Sequence, residues 1–94
     1  MTEQAYHVSY HPDVKAADLP KIDQIAREMI KRAIEERLLT HPETYGKRLQ
    51  RTLKDYWKLR VGPYRIIYKI QEKHITVLGI LHRRYVYQCI ERRG

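Results

Sequence analysis

Four cations in two neighbouring segments could act together on one anion, Lys58 and Arg60 in the first and Arg65 and Lys69 in the second. In an extended chain, side chains two or four residues apart leave the same face. A hairpin joining the segments in a suitable register therefore gathers all four on one surface. Like charges held that closely repel, and a bound anion relieves the repulsion. The bland alternative is a solvated sheet face whose basic residues only discourage edge-to-edge association. Just downstream, His82-Arg83-Arg84-Tyr85-Val86-Tyr87 interleaves cations with aromatic rings. Arginine forks pair with phosphate and tyrosine faces stack on bases, so this mixture suits single-stranded nucleic acid. A tyrosine taken singly is more often a packing residue.

Other chemistries find little support. His7 and His11 would make a metal pair only on a helix, and their segment alternates like a strand, so no metal or other cofactor is expected. No glycine-rich loop follows a strand to cradle a nucleotide. Cys89 is the single cysteine, which rules out an intramolecular disulfide and points to a reducing cytosol; as a thiol it is incidental or buried.

Charge narrows the partner class. The 94 residues carry a formal net charge of +8, unevenly spread: residues 1–46 hold six basic and eight acidic side chains, residues 47–94 thirteen and three. A polyanion site thus belongs to the second half. The apolar run Val77 to Leu81 is too short to cross a bilayer, and the first residues lack a signal-peptide pattern, so neither membrane insertion nor secretion is expected.

These residues must be positioned by one small domain spanning residues 1–94. Tyr6, Val8 and Tyr10 alternate as in a half-buried strand, and His11-Pro12 ends it. Val14 to Leu19 forms one or two helical turns before Pro20. Ile22, Ile25, Ala26, Met29, Ile30, Ala33, Ile34 and Leu38 make one apolar stripe at helical spacing, and His41-Pro42 stops that helix. Lys47 to Arg51 reads as a loop or a short helical turn. Tyr56–Val61, Tyr64–Gln71 and His74–Leu81 follow as three strands, joined at Gly62-Pro63 and Glu72-Lys73, before a short tail. The expectation is an α+β fold: a small antiparallel sheet of the N-terminal strand and a three-strand meander, with helices on one face.

The run Tyr56-Trp57-Lys58-Leu59-Arg60-Val61-Gly62-Pro63-Tyr64-Arg65-Ile66-Ile67-Tyr68, the hairpin after it and the closing His82-Arg83-Arg84-Tyr85-Val86-Tyr87 resemble the RelE/ParE toxin superfamily. The family pattern is a strand ending Leu-Arg-x-Gly, then x-Tyr-Arg-hydrophobic-hydrophobic-Tyr, then His-Arg-Arg-x-x-Tyr. The resemblance covers nearly the whole chain. It implies a toxin of a type II toxin–antitoxin pair, bound by a cognate antitoxin protein. In the RelE branch it implies a cytoplasmic endoribonuclease that enters the ribosome, contacts rRNA and cuts mRNA without a metal, by attack of a ribose 2′-oxygen on the adjacent phosphate.

Carried over residue by residue, Lys58 matches the proposed base and Arg65 the arginine that stabilises the phosphate. Arg83 falls nearest the arginine serving the leaving group, and Tyr87 matches the tyrosine that stacks on the base. His82 is the alternative acid, because arginine holds its proton near neutral pH whereas imidazole exchanges one there. Lys47, Arg48, Arg51, Lys54, Arg60, Lys69 and Arg84 are expected to grip RNA backbone. Tyr56 stands where well-studied members have a second basic residue, so an aid to proton loss from Lys58 is missing at that position. Two alternatives follow from the same resemblance: a ParE-like toxin that inhibits DNA gyrase, and a non-catalytic protein that keeps only antitoxin binding.

Overall fold

The computed structural model describes residues 6–49 and 55–93. The first strand, β1 (His7–Tyr10), leads into a π-helical turn (Val14–Asp18) and a 3-10 turn (Leu19–Lys21). Asp23 then caps helix α1 (Gln24–Ala33), its carboxylate accepting from the Ala26 amide at 2.8 Å. The helix runs on through a π-type turn (Ile34–Leu38), and Pro42 opens the short α2 (Pro42–Tyr45). Strands β2 (Lys47–Arg48), β3 (Trp57–Val61), β4 (Tyr64–Gln71) and β5 (His74–His82) follow, then a 3-10 turn (Arg83–Tyr85) and helix α3 (Val86–Arg93).

The five strands form one sheet in the order β1-β5-β4-β3-β2. The α+β class and the three-strand meander agree with the sequence pattern. Three features differ from it. β1 runs parallel to β5, so the sheet is mixed rather than antiparallel throughout. Lys47–Arg48 is a strand paired with β3, where the residue pattern suggests a loop or helical turn. The supposed tail is a helix, α3, and it covers part of the second sheet face, so helices flank both sides.

Alternation decides what each face carries. Trp57, Leu59 and Val61 of β3, with Tyr64, Ile66, Tyr68 and Ile70 of β4, point to the α1 side and join Ile30, Ala33, Ile34 and Leu38 in the main core. A bulge at Leu78 lets β5 serve both faces. Ile67 pairs with Gly79 and Tyr68 with Val77, so Leu78 is extra. Val77 and Ile80 thereby both reach the main core although they lie three residues apart, while Leu78 and Leu81 pack with Ile67 under Val86 and Ile90 of α3.

Of the expected apolar stripe, Ile25 and Met29 are left out: they are 75% and 53% exposed. Two glycines are needed where they stand. Gly62 turns the β3–β4 hairpin at a φ of 58°. A Cβ on Gly46 would collide with the Tyr68 hydroxyl, which donates to the Pro42 carbonyl at 2.7 Å.

β1 pairs with β5 only as far as Val77, and a buried ion pair takes over that strand edge. The Asp18 carboxylate accepts from the Ile80 amide at 2.9 Å and from both guanidinium amines of Arg93 at 2.8 Å, and Arg93 also donates to the Leu78 carbonyl at 3.0 Å. Backbone groups that would otherwise be unpaired on a buried strand edge are thus satisfied. The same contacts fasten α3, and with it Tyr87, across the sheet.

Candidate nucleic-acid interface

Register settles which cations meet. Arg60 lies directly opposite Arg65, and Lys58 lies opposite Ile67, so Lys58 and Arg65 are diagonal neighbours on one face. Lys69 shares that face by alternation along β4. Lys47 lies directly opposite Lys58, contributed by β2. A second cation beside Lys58 therefore comes from across the sheet, whereas two positions before Lys58 the chain has Tyr56. No local signal in the sequence marks Lys47 for this position, because the pairing of β2 is a tertiary choice.

Arg65 is held at the hairpin turn. Its guanidinium donates to the Gly62 carbonyl at 3.0 Å and to the Tyr64 carbonyl at 2.9 Å. The Arg83 amide donates to the Pro63 carbonyl at 3.0 Å, which brings the segment after β5 to the same turn. Partial desolvation, then the charges of Arg60 and Arg83, pull the Arg65 guanidinium below its ordinary pKa. An anion placed among these three arginines would reverse the repulsion while leaving Arg65 charged at neutral pH.

Aromatic groups border the cations. Tyr56 and Tyr87 both pack, half-buried, against the cluster of Ile67, Leu81, Val86 and Ile90. Lys69 Nζ stands 5.5 Å from the centre of the Tyr56 ring, a cation–π distance. Tyr87 sits one residue into α3. The signal for that helix was the four-residue spacing of Val86 and Ile90, the two residues that bury against the sheet.

A family model described as the ParE toxin of the type II toxin–antitoxin system parDE matches residues 8–87. The chain belongs to that family. No curated protein sequence matches the toxin. Among solved structures it is similar to the RelBE2 toxin–antitoxin complex from Mycobacterium tuberculosis, with 26% identity, TM-score 0.73 and coverage of 84% of this chain and 99% of the other. The RelB–RelE complex from Methanococcus jannaschii gives 23% identity, TM-score 0.66 and coverage of 85% and 95%. A mutant E. coli RelE bound to a RelB peptide gives 22% identity, TM-score 0.64 and coverage of 92% and 94%. These likenesses carry the RelE-type fold.

Other candidate residues of the toxin scatter. His82 pairs in register with Tyr64 and so lies on the α1 side of the sheet, across from Arg65. Arg48 likewise faces that side, 5.3 Å above the Trp57 ring, which itself stacks on Tyr68. Arg60 is exposed and also borders a groove along α1; Arg84 is exposed in the 3-10 turn. Arg51 and Lys54 lie outside the described residues. Among the described residues no three His, Cys, Asp or Glu side chains gather as a metal site would require, and no helix is long and apolar enough to cross a membrane.

Proposed function

We propose that this type II toxin is a ribosome-dependent mRNA endoribonuclease acting through the face that carries Lys58, Arg60, Arg65 and Arg83. The supporting observation is the convergence of Lys58, Arg60 and Arg65 by register, with Arg83 in the electrostatic field of Arg65 and Tyr87 packed on the apolar cluster that includes Ile67 and Leu81. Lys58 takes the proton from a ribose 2′-hydroxyl. The 2′-oxygen then attacks the adjacent phosphorus and the bond to the 5′-oxygen breaks, leaving a 2′,3′-cyclic phosphate and a 5′-hydroxyl. Arg65, with Arg60 next to it, offsets the charge that grows on the phosphorane oxygens. Arg83 is a cation on the departing side, and water returns the proton to the leaving oxygen. Tyr87 stacks on the base and fixes the nucleotide against the cations. His82, on the other side of the sheet from Arg65, is left out of this reading. Lys47, Lys69 and Arg84 hold backbone phosphates of mRNA or rRNA.

The cognate antitoxin is the other partner. Ile25 and Met29 lie exposed in an open groove of about 740 Å³ between α1 and the end of β3, edged by Arg32, Arg37 and Arg60 and by Glu28 and Glu36. Apolar anchors with a mixed-charge rim suit an amphipathic segment that orders as it binds, and the thirteen basic against three acidic side chains of residues 47–94 favour an acidic one. Its hold should weaken with salt and with joint replacement of Lys58, Arg65 and Arg83.

The ParE family match keeps gyrase inhibition as a second reading. Single-turnover cleavage on programmed ribosomes, read by primer extension, decides between them. Codon-linked breaks that vanish in Lys58→Ala and Arg65→Ala support the nuclease. Unbroken mRNA together with inhibited supercoiling supports the gyrase toxin. Cleavage at the parent rate by both variants would leave the basic face as a docking surface only.

A further inference from the structure

Where β1 stops, the Asp18–Arg93 pair covers the edge of β5 beyond Val77, and outside it an open cleft of about 630 Å³ lies between the Leu19–Lys21 turn and α3. Its lining includes Lys21, Tyr64, His82, Tyr85, Gln88 and Arg92. The volume lies in the range of roughly 300–1,000 Å³ typical of small-ligand sites, enough for a nucleotide unit. We infer that this cleft is a second RNA site, one that takes a single-stranded nucleotide with its phosphate, on the far side of the molecule's sheet edge from the Lys58–Arg65 face.

Three observations carry the inference. First, the aromatic groups form a connected set: the His82 ring centre lies 6.2 Å from that of Tyr64 and 6.2 Å from that of Tyr85. Tyr85 is 52% exposed, an apolar ring with one surface open to stack on a base. Second, the cations here are available. Arg93 is committed to Asp18, and neither Lys21 nor Arg92 forms an ion pair among the described residues, so both can take a phosphate. Third, polar groups for a base edge are at hand. The Arg84 amide donates to His82 Nδ1 at 3.3 Å, which leaves Nε2 as the ring nitrogen free to donate, and Gln88 offers both a donor and an acceptor. An acidic peptide would use the two cations but not the aromatic set or the amide, which is why RNA is the better match. The inference draws its ribosomal setting from the nuclease reading; the cleft's own chemistry does not depend on it.

The test uses the whole toxin, isotope-labelled, titrated with a single-stranded RNA hexamer bearing 2′-O-methyl groups so that it cannot be cut. Amide shifts should move at His82, Gln88 and Cys89 as well as around Lys58 and Tyr87. Tyr85→Ala should weaken the cleft-associated binding about tenfold, and Tyr85→Phe should restore it, since the stacking face is kept. Replacing Lys21 and Arg92 together should lower the slope of log Kd against log salt by about 1.4. On programmed ribosomes, the Lys21→Ala/Tyr85→Ala/Arg92→Ala variant should need about tenfold more ribosome for half-maximal cleavage while keeping the maximal single-turnover rate. Shifts confined to the Lys58–Tyr87 face, or an acidic peptide that binds the cleft while the hexamer does not, would overturn the second site. A toxin that binds the hexamer in the cleft yet never cuts mRNA would sink the nuclease reading and leave the cleft standing.

Discussion

The two faces of the sheet are built from the same strands and do opposite things. On the α1 side, Trp57, Leu59, Val61, Ile66 and Tyr68 meet a helix long enough to cover them, and the result is a dry core. On the other side, α3 shields only the part near Ile67, Leu78 and Leu81. The remainder of that face, along β3 and the start of β4, carries Lys58, Arg60 and Arg65. A short helix beside an uncovered stretch of sheet thus creates a cationic surface bounded by a low-dielectric wall, where fields are stronger than on an open surface. The lesson is that incomplete cover by α3 is what leaves these cations on an open surface.

The contrast can be broken most severely at the ion pair that joins the faces. Arg93→Ala leaves the Asp18 carboxylate buried without its guanidinium and should cost about 3–5 kcal/mol of stability, read as a lower urea midpoint. Loss of α3 order ahead of the main core, seen by hydrogen exchange, would show that the two faces unfold separately.

On the cationic face alone, Arg65→Ala should lower single-turnover cleavage on the order of 100-fold, about 2.7 kcal/mol, with a much smaller change in ribosome affinity. An equal loss in both would mean that Arg65 only docks the toxin. Tyr87→Ala should cost roughly 1–3 kcal/mol of transition-state stabilisation, whereas Tyr87→Phe should retain most activity because the ring still stacks. The same assay separates the two.

The smallest effect belongs to the dry face. Burial, then the charge of Glu43, pushes the Tyr68 hydroxyl well above its ordinary pKa of 10.0. A group whose pKa is higher in the fold than in the unfolded chain stabilises fully below the unfolded value, so this contribution should fade as pH rises beyond about 10. Tyr68→Phe should lose about 1 kcal/mol at neutral pH, with the hydrogen bond to Pro42, and should show a shallower alkaline decline in denaturant melts.

The meander, and the alternation of cations within each of its strands, follow from the residue pattern alone. Two-residue alternation in 57–61 and 64–71 puts Lys58 with Arg60 and Arg65 with Lys69, and Gly62-Pro63 marks where the chain reverses, but only the β3–β4 register of the folded sheet brings the two pairs onto one surface. Alternation does not name the partner across a gap in sequence, and those pairings were settled only when the chain closed on itself. β1 chose β5 and ran parallel to it; β2 brought Lys47 opposite Lys58. Asp18 and Arg93 met across 75 residues because a strand edge needed both a donor and an acceptor. His82 and Arg83 adjoin in sequence, yet only Arg83 reaches the electrostatic field of Arg65, since His82 still follows the pleat of β5 toward Tyr64 while the chain leaves the strand at Arg83. Ile25 and Met29 obey the same helical spacing as Ile30 and Leu38, yet they stay exposed in the open groove beside the end of β3. Periodicity tells which side of an element is apolar; whether a surface exists opposite to cover it depends on how far the neighbouring elements extend.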